Sequence, residues 1–544
     1  MYLSLSTIMR FFNTAGPVNP TDHYYLDPLS RFDLEEILNL IQQKKYFVLH
    51  APRQTGKTSS LLALQEYLNA GSEFKALYMN VERAQPAREN IAQGIHAIID
   101  EIFDRCASNH IIPDPRVLID GLWDQYNELS VLSTVFSRLS IASTLPVVIL
   151  LDEIDSLVGD TLISVLRQIR GSYDRRPDRF PQSIILCGVR DVRDYRIYSD
   201  QEKSIITGGS AFNIKAESLR LGNFSKGEAK SLCLQHTEET GQQFELEALE
   251  KIWENSQGQP WLVNALGYEV CFKMDAGKNR SVPISPGMIE EAKSRLILRH
   301  ETHLDQLADK LREERVRRIV EPMIEGTSVD STINDDDLSY VMDLGLVTRG
   351  PDGLQIANPI YREVIPRQLT TITSYNLEAT IPRAPFIRPD GRLDTRYLFT
   401  EFQQFYRENS GSWLEIAQYR EAGPQLLLMA FLQRVVNGGG RIEREYGLGR
   451  GRLDLLIIWP VQSGETQRIV IECKVLHHSL EKTIRDGLSQ TYRYADTCSA
   501  TESHLVIFDR TPGKSWDEKI FSREEVYSGT EDHPVTFPVT VWGM

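Results

Sequence analysis

The sequence is poor in cysteine, with six in 544 residues at Cys106, Cys187, Cys233, Cys271, Cys473 and Cys498. They are scattered and none forms a C-x-x-C pair, which speaks against a zinc site and a disulfide framework and points to a reducing, cytoplasmic compartment. Long apolar runs are missing too: nothing approaches the ~18 uninterrupted residues of a membrane helix, so no membrane partner is expected. The opening MYLSLSTIMRFF is broken by Arg10, has no basic leading segment and is followed by no small-residue cleavage site, so it does not read as a secretory leader. No internal repeat or low-complexity tract is found, which excludes a solenoid or a disordered chain. Positive charge is short as well. A net charge of −15 rules out coating nucleic acid by bulk electrostatics, so any such contact must be a local basic groove. What remains is 41% hydrophobic and 25% charged, ordinary for globular protein. The length calls for roughly two to four domains.

From Tyr46 the chain reads YFVLHAPRQTGKTSSLLALQEYL: an apolar strand, a turn-rich loop, then a helical pattern. Further apolar runs at KALYMNV, PVVILLDEIDSL and SIILCGV are separated by helical stretches, which predicts a mostly parallel α/β sheet covered on both faces, over residues 1–220. Amphipathic patterns predict a helical lid over 221–300. A helix, a Gly turn and two short strands outline a winged helix over 301–370, and the Pro-rich stretch 371–410 reads as a connector. A second α/β domain is expected from 411 to 544.

The loop Ala51–Thr58 fits G-x-x-x-x-G-K-[ST] except that Ala51 replaces the first glycine. Such a loop curls backbone N–H groups around nucleotide phosphates at a helix N-terminus, with Arg53, Gln54, Thr55 and Gly56 forming the cradle, Lys57 on phosphate oxygens and Thr58 on Mg²⁺. The alanine is tolerable if its φ is negative. Asp152 and Glu153 end an apolar strand, where one acid can hold Mg²⁺ through water and the other can orient the attacking water. His50, beside the loop, reads as a packed strand-end residue.

PRQTGKT, LLDEID, ILCGVRD and GQPWLVN together resemble the AAA and STAND type of P-loop ATPases, in particular the archaeal-ATPase-like group, over roughly residues 20 to 370. The resemblance implies ATP and Mg²⁺ as cofactors and a phosphate-sensing role for Arg190, for which a surface salt bridge is the alternative. It also implies that Gly258, Pro260 and Trp261 form a lid motif near the nucleotide.

A second constellation lies further on. IVIECKV puts Glu472 and Lys474 two apart on an apolar strand, hence on one face. Asp454, eighteen positions earlier, is the only acid of the apolar strand RLDLLIIWP. The expected order is helix (423–437), three strands, helix, strand. Two carboxylates on neighbouring strands can hold Mg²⁺ against a phosphodiester, and an adjacent lysine can act on the attacking water and offset developing charge. Such a site is expected to keep its charges near solvent. A solvated Glu and Lys on an edge strand is the plainer alternative.

This arrangement resembles the PD-(D/E)XK nuclease superfamily over about 411–510, with Asp454 as the first acid and Glu472–Cys473–Lys474 as E-x-K. Gln490 and Tyr494, one helical turn apart, resemble the Q-x-x-x-Y motif of the RecB-like branch and are implied to face the site. The first-helix acid usual in that superfamily is missing; Glu421, Glu443 or Glu445 could substitute, which leaves one metal or two open. Arg441, Arg444, Arg450 and Arg452 concentrate positive charge nearby, as a patch for nucleic-acid phosphates or as ordinary surface arginines. His477 and His478 read as a polar turn.

The chain as a whole resembles bacterial ATPase–nuclease fusions, which implies an ATP-regulated, Mg²⁺-dependent nuclease acting on nucleic acid, DNA first, in defence against foreign DNA. The alternative is a nucleotide-dependent DNA-binding or regulatory protein whose nuclease fold does not cut. DNA against RNA, endo against exo cleavage, the trigger and the oligomeric state, a homo-oligomer included, are left open by the sequence.

Overall fold

The computed structural model describes residues 9–191, 196–199, 204–207, 212–299, 304, 309–325, 333–351, 353–365, 386–416, 428, 431–432, 440–445, 453–461, 464–476, 479–509, 511, 513–530 and 533–544. These fall into two compact units, Met1–Glu301 with Ser339–Leu346, and Thr302–Leu338 with Val347–Met544.

In the first unit the described chain runs through α1 (Leu34–Gln42), β1 (Tyr46–His50), α2 (Lys57–Ala70), β2 (Lys75–Asn80), α3 (Ile91–Ser108), α4 (Val131–Ala142), β3 (Val147–Asp152), α5 (Gly159–Gly171), β4 (Ser183–Gly188) and β5 (Lys215–Arg220). Among the described residues the five strands form one sheet in the order β2-β3-β4-β1-β5, every pair parallel. Their near-continuous apolar runs follow from burial on both faces. Val48, Leu77, Met79, Ile149, Leu151, Ile184 and Leu186 pack with α3, α4 and α5. The alternate residues Phe47, Leu49, Ala76, Val148, Leu150 and Ile185 pack with α1 and α2. The edge strand β5, KAESLR, pairs among the described residues with β1 alone and is too polar to read as a core strand from the sequence.

Helices α6 (Lys226–Thr240), α7 (Leu246–Ser256), α8 (Pro260–Tyr268) and α9 (Pro286–Leu298) follow. A capping box between Ser225 and Glu228 starts α6, and Pro260 occupies the first turn of α8, where its missing N–H costs nothing.

The second unit contains α10 (Glu314–Glu325) and the hairpin β6 (Val347–Gly350) with β7 (Gly353–Ile356), the two short strands expected of a wing. Helix α11 (Asp335–Asp343) precedes the hairpin. Beyond it come α12 (Thr395–Ile416), β8 (Arg441–Glu445), β9 (Leu453–Pro460), β10 (Thr466–Val475), α13 (Leu480–Cys498), β11 (Glu502–Phe508), β12 (Phe521–Thr530) and β13 (His533–Gly543). Among the described residues the order is β8-β9-β10-β11-β13-β12. β8, β9 and β10 form an antiparallel meander, and β11 returns parallel to β10 through α13. Two strands thus extend the sheet past the four expected.

The boundary expected at 411 is corrected. Leu398, Phe399 and Phe402 of α12, with Leu393 before it, are fully buried against Leu455, Ile471, Val506 and Trp542 of the sheet, so residues from 386 onward are domain core and not connector. Prolines in the preceding stretch disguised an aromatic helix. The helix expected at 423–437 lies mostly outside the described residues; Leu428, Phe431 and Leu432 are described, helical and buried.

Candidate functional site

In the first unit the site grows from the carboxyl end of β1. Ala51 is fully buried and keeps a negative φ, so the missing glycine imposes no strain. Gln54 and Gly56 have φ of +57° and +93°, and Gly56 caps the N-terminus of α2 in the left-handed region that glycine adopts at least cost. Lys57, 5% exposed, turns its ammonium inward and donates to the carbonyls of Ala51 (3.0 Å) and Pro52 (3.1 Å). The Thr55 hydroxyl donates to Pro52 O at 2.7 Å. Arg53 and Gln54 are exposed at the rim of the loop.

The Thr58 hydroxyl donates to Asp152 Oδ2 at 2.7 Å, bringing together residues 94 apart in sequence. Asp152 is fully buried and also accepts from the Tyr78 hydroxyl (3.0 Å) and from the backbone N–H of Glu153 (3.0 Å). Burial and the neighbouring carboxylate push the Tyr78 phenol up, so it stays a donor. A hydroxyl and a carboxylate side by side are hard oxygen donors suited to Mg²⁺. Among the described residues no group of three or more His, Cys, Asp or Glu could hold a metal unaided, so a cation here would share its coordination with phosphate and water. Glu153 sits in the left-handed region at φ +58°. Burial, then the charge of Asp155, raises its carboxyl above the ordinary value, while Lys57 and Arg53 pull it back.

Arg190 follows β4, its guanidinium 4.5 Å from the ring centroid of Tyr340. Pro260 and Trp261 line a cavity of about 140 Å³ beside the loop, bordered also by Asn13, Tyr25, Gln54 and Phe224. Gln259 reaches the Gln54 carbonyl at 3.5 Å. Sequence reasoning missed three contributors. Arg31 donates to Thr55 O at 3.0 Å and to Gly222 O and lies 4.6 Å from the Phe224 ring, and burial lowers its guanidinium to about 10. Tyr78 was legible only as the tyrosine of an apolar strand. The segment from Asn13 to Pro28 touches α2 through Val18 N–H on Ser59 Oγ (3.0 Å) and takes the Trp261 indole on Thr14 O (3.0 Å). No motif marks it.

In the second unit Glu472 and Lys474 share the parity of Val470, which packs with Tyr494 and Leu456 on the α13 face. Lys474 Nζ lies 2.5 Å from Glu472 Oε1. The expectation of charges near solvent fails: Glu472 is fully buried, and the Lys474 side chain is 15% exposed, because β10 is an interior strand with β9 and β11 on either side. This also removes the edge-strand alternative. The β9–β10 register sets Asp454 opposite Glu472, and the β8–β9 register sets Glu445 opposite Asp454. Tyr494 is buried on α13, and Gln490, one turn earlier, has its side-chain oxygen buried without a hydrogen bond among the described residues. Cys473 faces the opposite layer, where burial raises its thiol. Arg441 and Arg444 lie on β8, Glu443 pairs in register with Leu456, and Glu421, Arg450, Arg452, His477 and His478 lie outside the described residues. Among the described residues no helix is long and apolar enough to cross a membrane.

No protein-family model matches the chain, and no curated protein matches it. Among solved structures it is similar to a Walker-type ATPase of Pyrococcus abyssi, at 16% identity over 65% of this chain and 99% of that one, with a TM-score of 0.42. It is also similar to the RuvB Holliday junction branch migration motor of Thermotoga maritima (14%, 64% and 96%, TM-score 0.30). A third is Cdc6p from Pyrobaculum aerophilum (17%, 62% and 92%, TM-score 0.33).

Proposed function

We propose that the chain is an ATP-regulated nuclease: the first unit binds and hydrolyses ATP, and the second cuts nucleic acid, DNA first, with Mg²⁺. The observation that carries the first half is the 2.7 Å bond from Thr58 to the buried Asp152, beside a lysine curled into its own loop. A phosphate chain would replace the Ala51 and Pro52 carbonyls as the partner of Lys57, with loop N–H groups adding charge-assisted bonds. Thr58 and Asp152 would hold Mg²⁺, which offsets phosphate charge. Glu153 would orient water, Arg190 would answer developing charge on the terminal phosphate, and the cavity lined by Pro260 and Trp261 would take the nucleoside end.

For the second half the support is the order of elements and the register that sets Asp454 opposite Glu472, with Lys474 alongside. Asp454 and Glu472 would hold a divalent cation that polarises a phosphodiester, Lys474 offsets charge near the attacking water, and Gln490 and Tyr494 position substrate. A nucleotide-gated nuclease of this kind suits defence against foreign DNA. The complete burial of Glu472 favours the second reading, a nuclease fold that binds without cutting. Divalent-dependent cleavage by the purified chain, abolished in Glu472→Ala, separates the two: loss in the variant supports cutting, and no cleavage by wild type on any DNA or RNA substrate supports binding alone.

A further inference from the structure

Eight residues, Ser339–Leu346, belong to the first unit although the chain on both sides of them belongs to the second. Within the first unit this segment meets the carboxyl edge of the parallel sheet at four points. Tyr340, 4% exposed, stacks with the Arg190 guanidinium just beyond β4. The Met342 carbonyl accepts from Arg220, the last residue of β5, at 3.0 Å. Asp343 Oδ1 lies 3.7 Å from Nδ1 of His50, the last residue of β1. Gly345, at φ +75°, comes so close to Pro52 of the loop that a Cβ there would meet its Cγ at 2.8 Å. Three strand ends and the loop are therefore touched by one short stretch of chain.

We infer that Tyr340 and Asp343 are positioning residues of the ATP site, and that the site is complete only while 339–346 is docked. The inference rests on the ATPase reading above. An arginine on a flexible stem must lose side-chain freedom to meet a phosphate, and a ring stacked on its guanidinium removes that freedom beforehand while keeping the charge. Asp343 and Gly345 do the corresponding work on the backbone side, holding the end of β1 and the start of the loop, so a small shift of the segment misplaces both Arg190 and the cradle. Because the segment is flanked on both sides by chain of the second unit, events there gain a covalent handle on ATP turnover.

The test is steady-state ATP hydrolysis by the full chain carrying Tyr340→Phe, Tyr340→Leu, Tyr340→Ala, Asp343→Asn, Arg190→Gln, and Arg190→Gln with Tyr340→Ala. Tyr340→Ala and Tyr340→Leu are expected to lower kcat about 3- to 30-fold, the size of such a stacking contact. KM should move by less than about twofold, and Tyr340→Phe should restore kcat. The double variant should be no slower than Arg190→Gln alone, since the ring acts through the arginine. Wild-type kcat in Tyr340→Leu, or a double variant whose loss is the product of the two single losses, overturns the inference, and Leu keeps it testable where Ala fails to fold. Lys57→Ala separates the two readings. If wild type turns over no faster than Lys57→Ala, the ATPase reading falls and takes this one with it. If wild type is faster while Tyr340→Leu and Asp343→Asn match it, only the positioning role falls.

Discussion

In the first unit one strand end supplies nearly everything: β1 runs into the loop, the loop into α2, and a single distant strand brings Asp152 to Thr58. In the second unit the corresponding residues come from two strands and a helix, and the register of an antiparallel pair sets Asp454 against Glu472. The lysines differ in the same way. Lys57 is buried against neutral carbonyls, whereas Lys474 is held by a fully buried carboxylate. A contiguous loop can exchange partners when a ligand arrives. A buried ion pair is fixed by the sheet around it, and its loss is felt by the fold.

The largest expected effects fall on the two activities. Lys57→Ala should reduce ATP hydrolysis by at least about 100-fold, as removal of a preorganised charge partner does, and Glu153→Gln should slow hydrolysis while leaving ATP binding intact. Asp454→Ala should abolish cleavage and leave basal ATP hydrolysis near wild type, because its strand belongs to the other sheet. Radiolabelled nucleotide turnover and gel-based cleavage on the same preparations read both.

Stability sharpens the contrast between the lysines. Lys474→Ala should destabilise the second unit by about 3–5 kcal/mol, because it removes one member of a buried ion pair. Lys57→Ala should cost only about 1–3 kcal/mol, the price of two less satisfied carbonyls. Denaturant melts monitored on both variants check this, and equal losses would erase the distinction.

A smaller effect concerns pH. With its carboxyl raised by burial, Glu153 takes up a proton at a higher pH than a free carboxylate does, and the protonated form is a weaker acceptor for water and cannot take its proton. The kcat for ATP should therefore fall on the acid side earlier than an ordinary carboxylate would dictate, and Glu153→Gln should lose that limb along with most of its rate. Smallest of all, Ala51→Gly should restore the familiar loop sequence yet leave turnover unchanged and cost about 0.5–1 kcal/mol of stability, since Ala51 already adopts a φ that alanine accepts.

The parallel core and the loop were legible because each is written in consecutive residues: apolar runs long enough to be buried on both faces, and a helix N-terminus preceded by turn formers. The Glu472–Lys474 pair was legible through strand periodicity, but its burial was not, since one strand does not announce that it will have neighbours on both sides. Leu398, Phe399 and Phe402 were hidden by the prolines before them. Arg31, Tyr78 and Tyr340 were invisible for a different reason: each matters through a partner 24, 74 or 150 residues away. Only tertiary packing joins such pairs.

On the proposed function, nucleotide at the first site is expected to control cutting at the second. The most direct test is cleavage of plasmid DNA by the full chain in saturating Mg²⁺, with and without ATP, beside Lys57→Ala and Glu472→Ala. A coupling of about 1–3 kcal/mol predicts a 5- to 150-fold change in cleavage rate on adding ATP, absent in Lys57→Ala, with no cleavage at all in Glu472→Ala. Equal rates with and without ATP in the wild-type chain, or cleavage that survives Glu472→Ala, would contradict it.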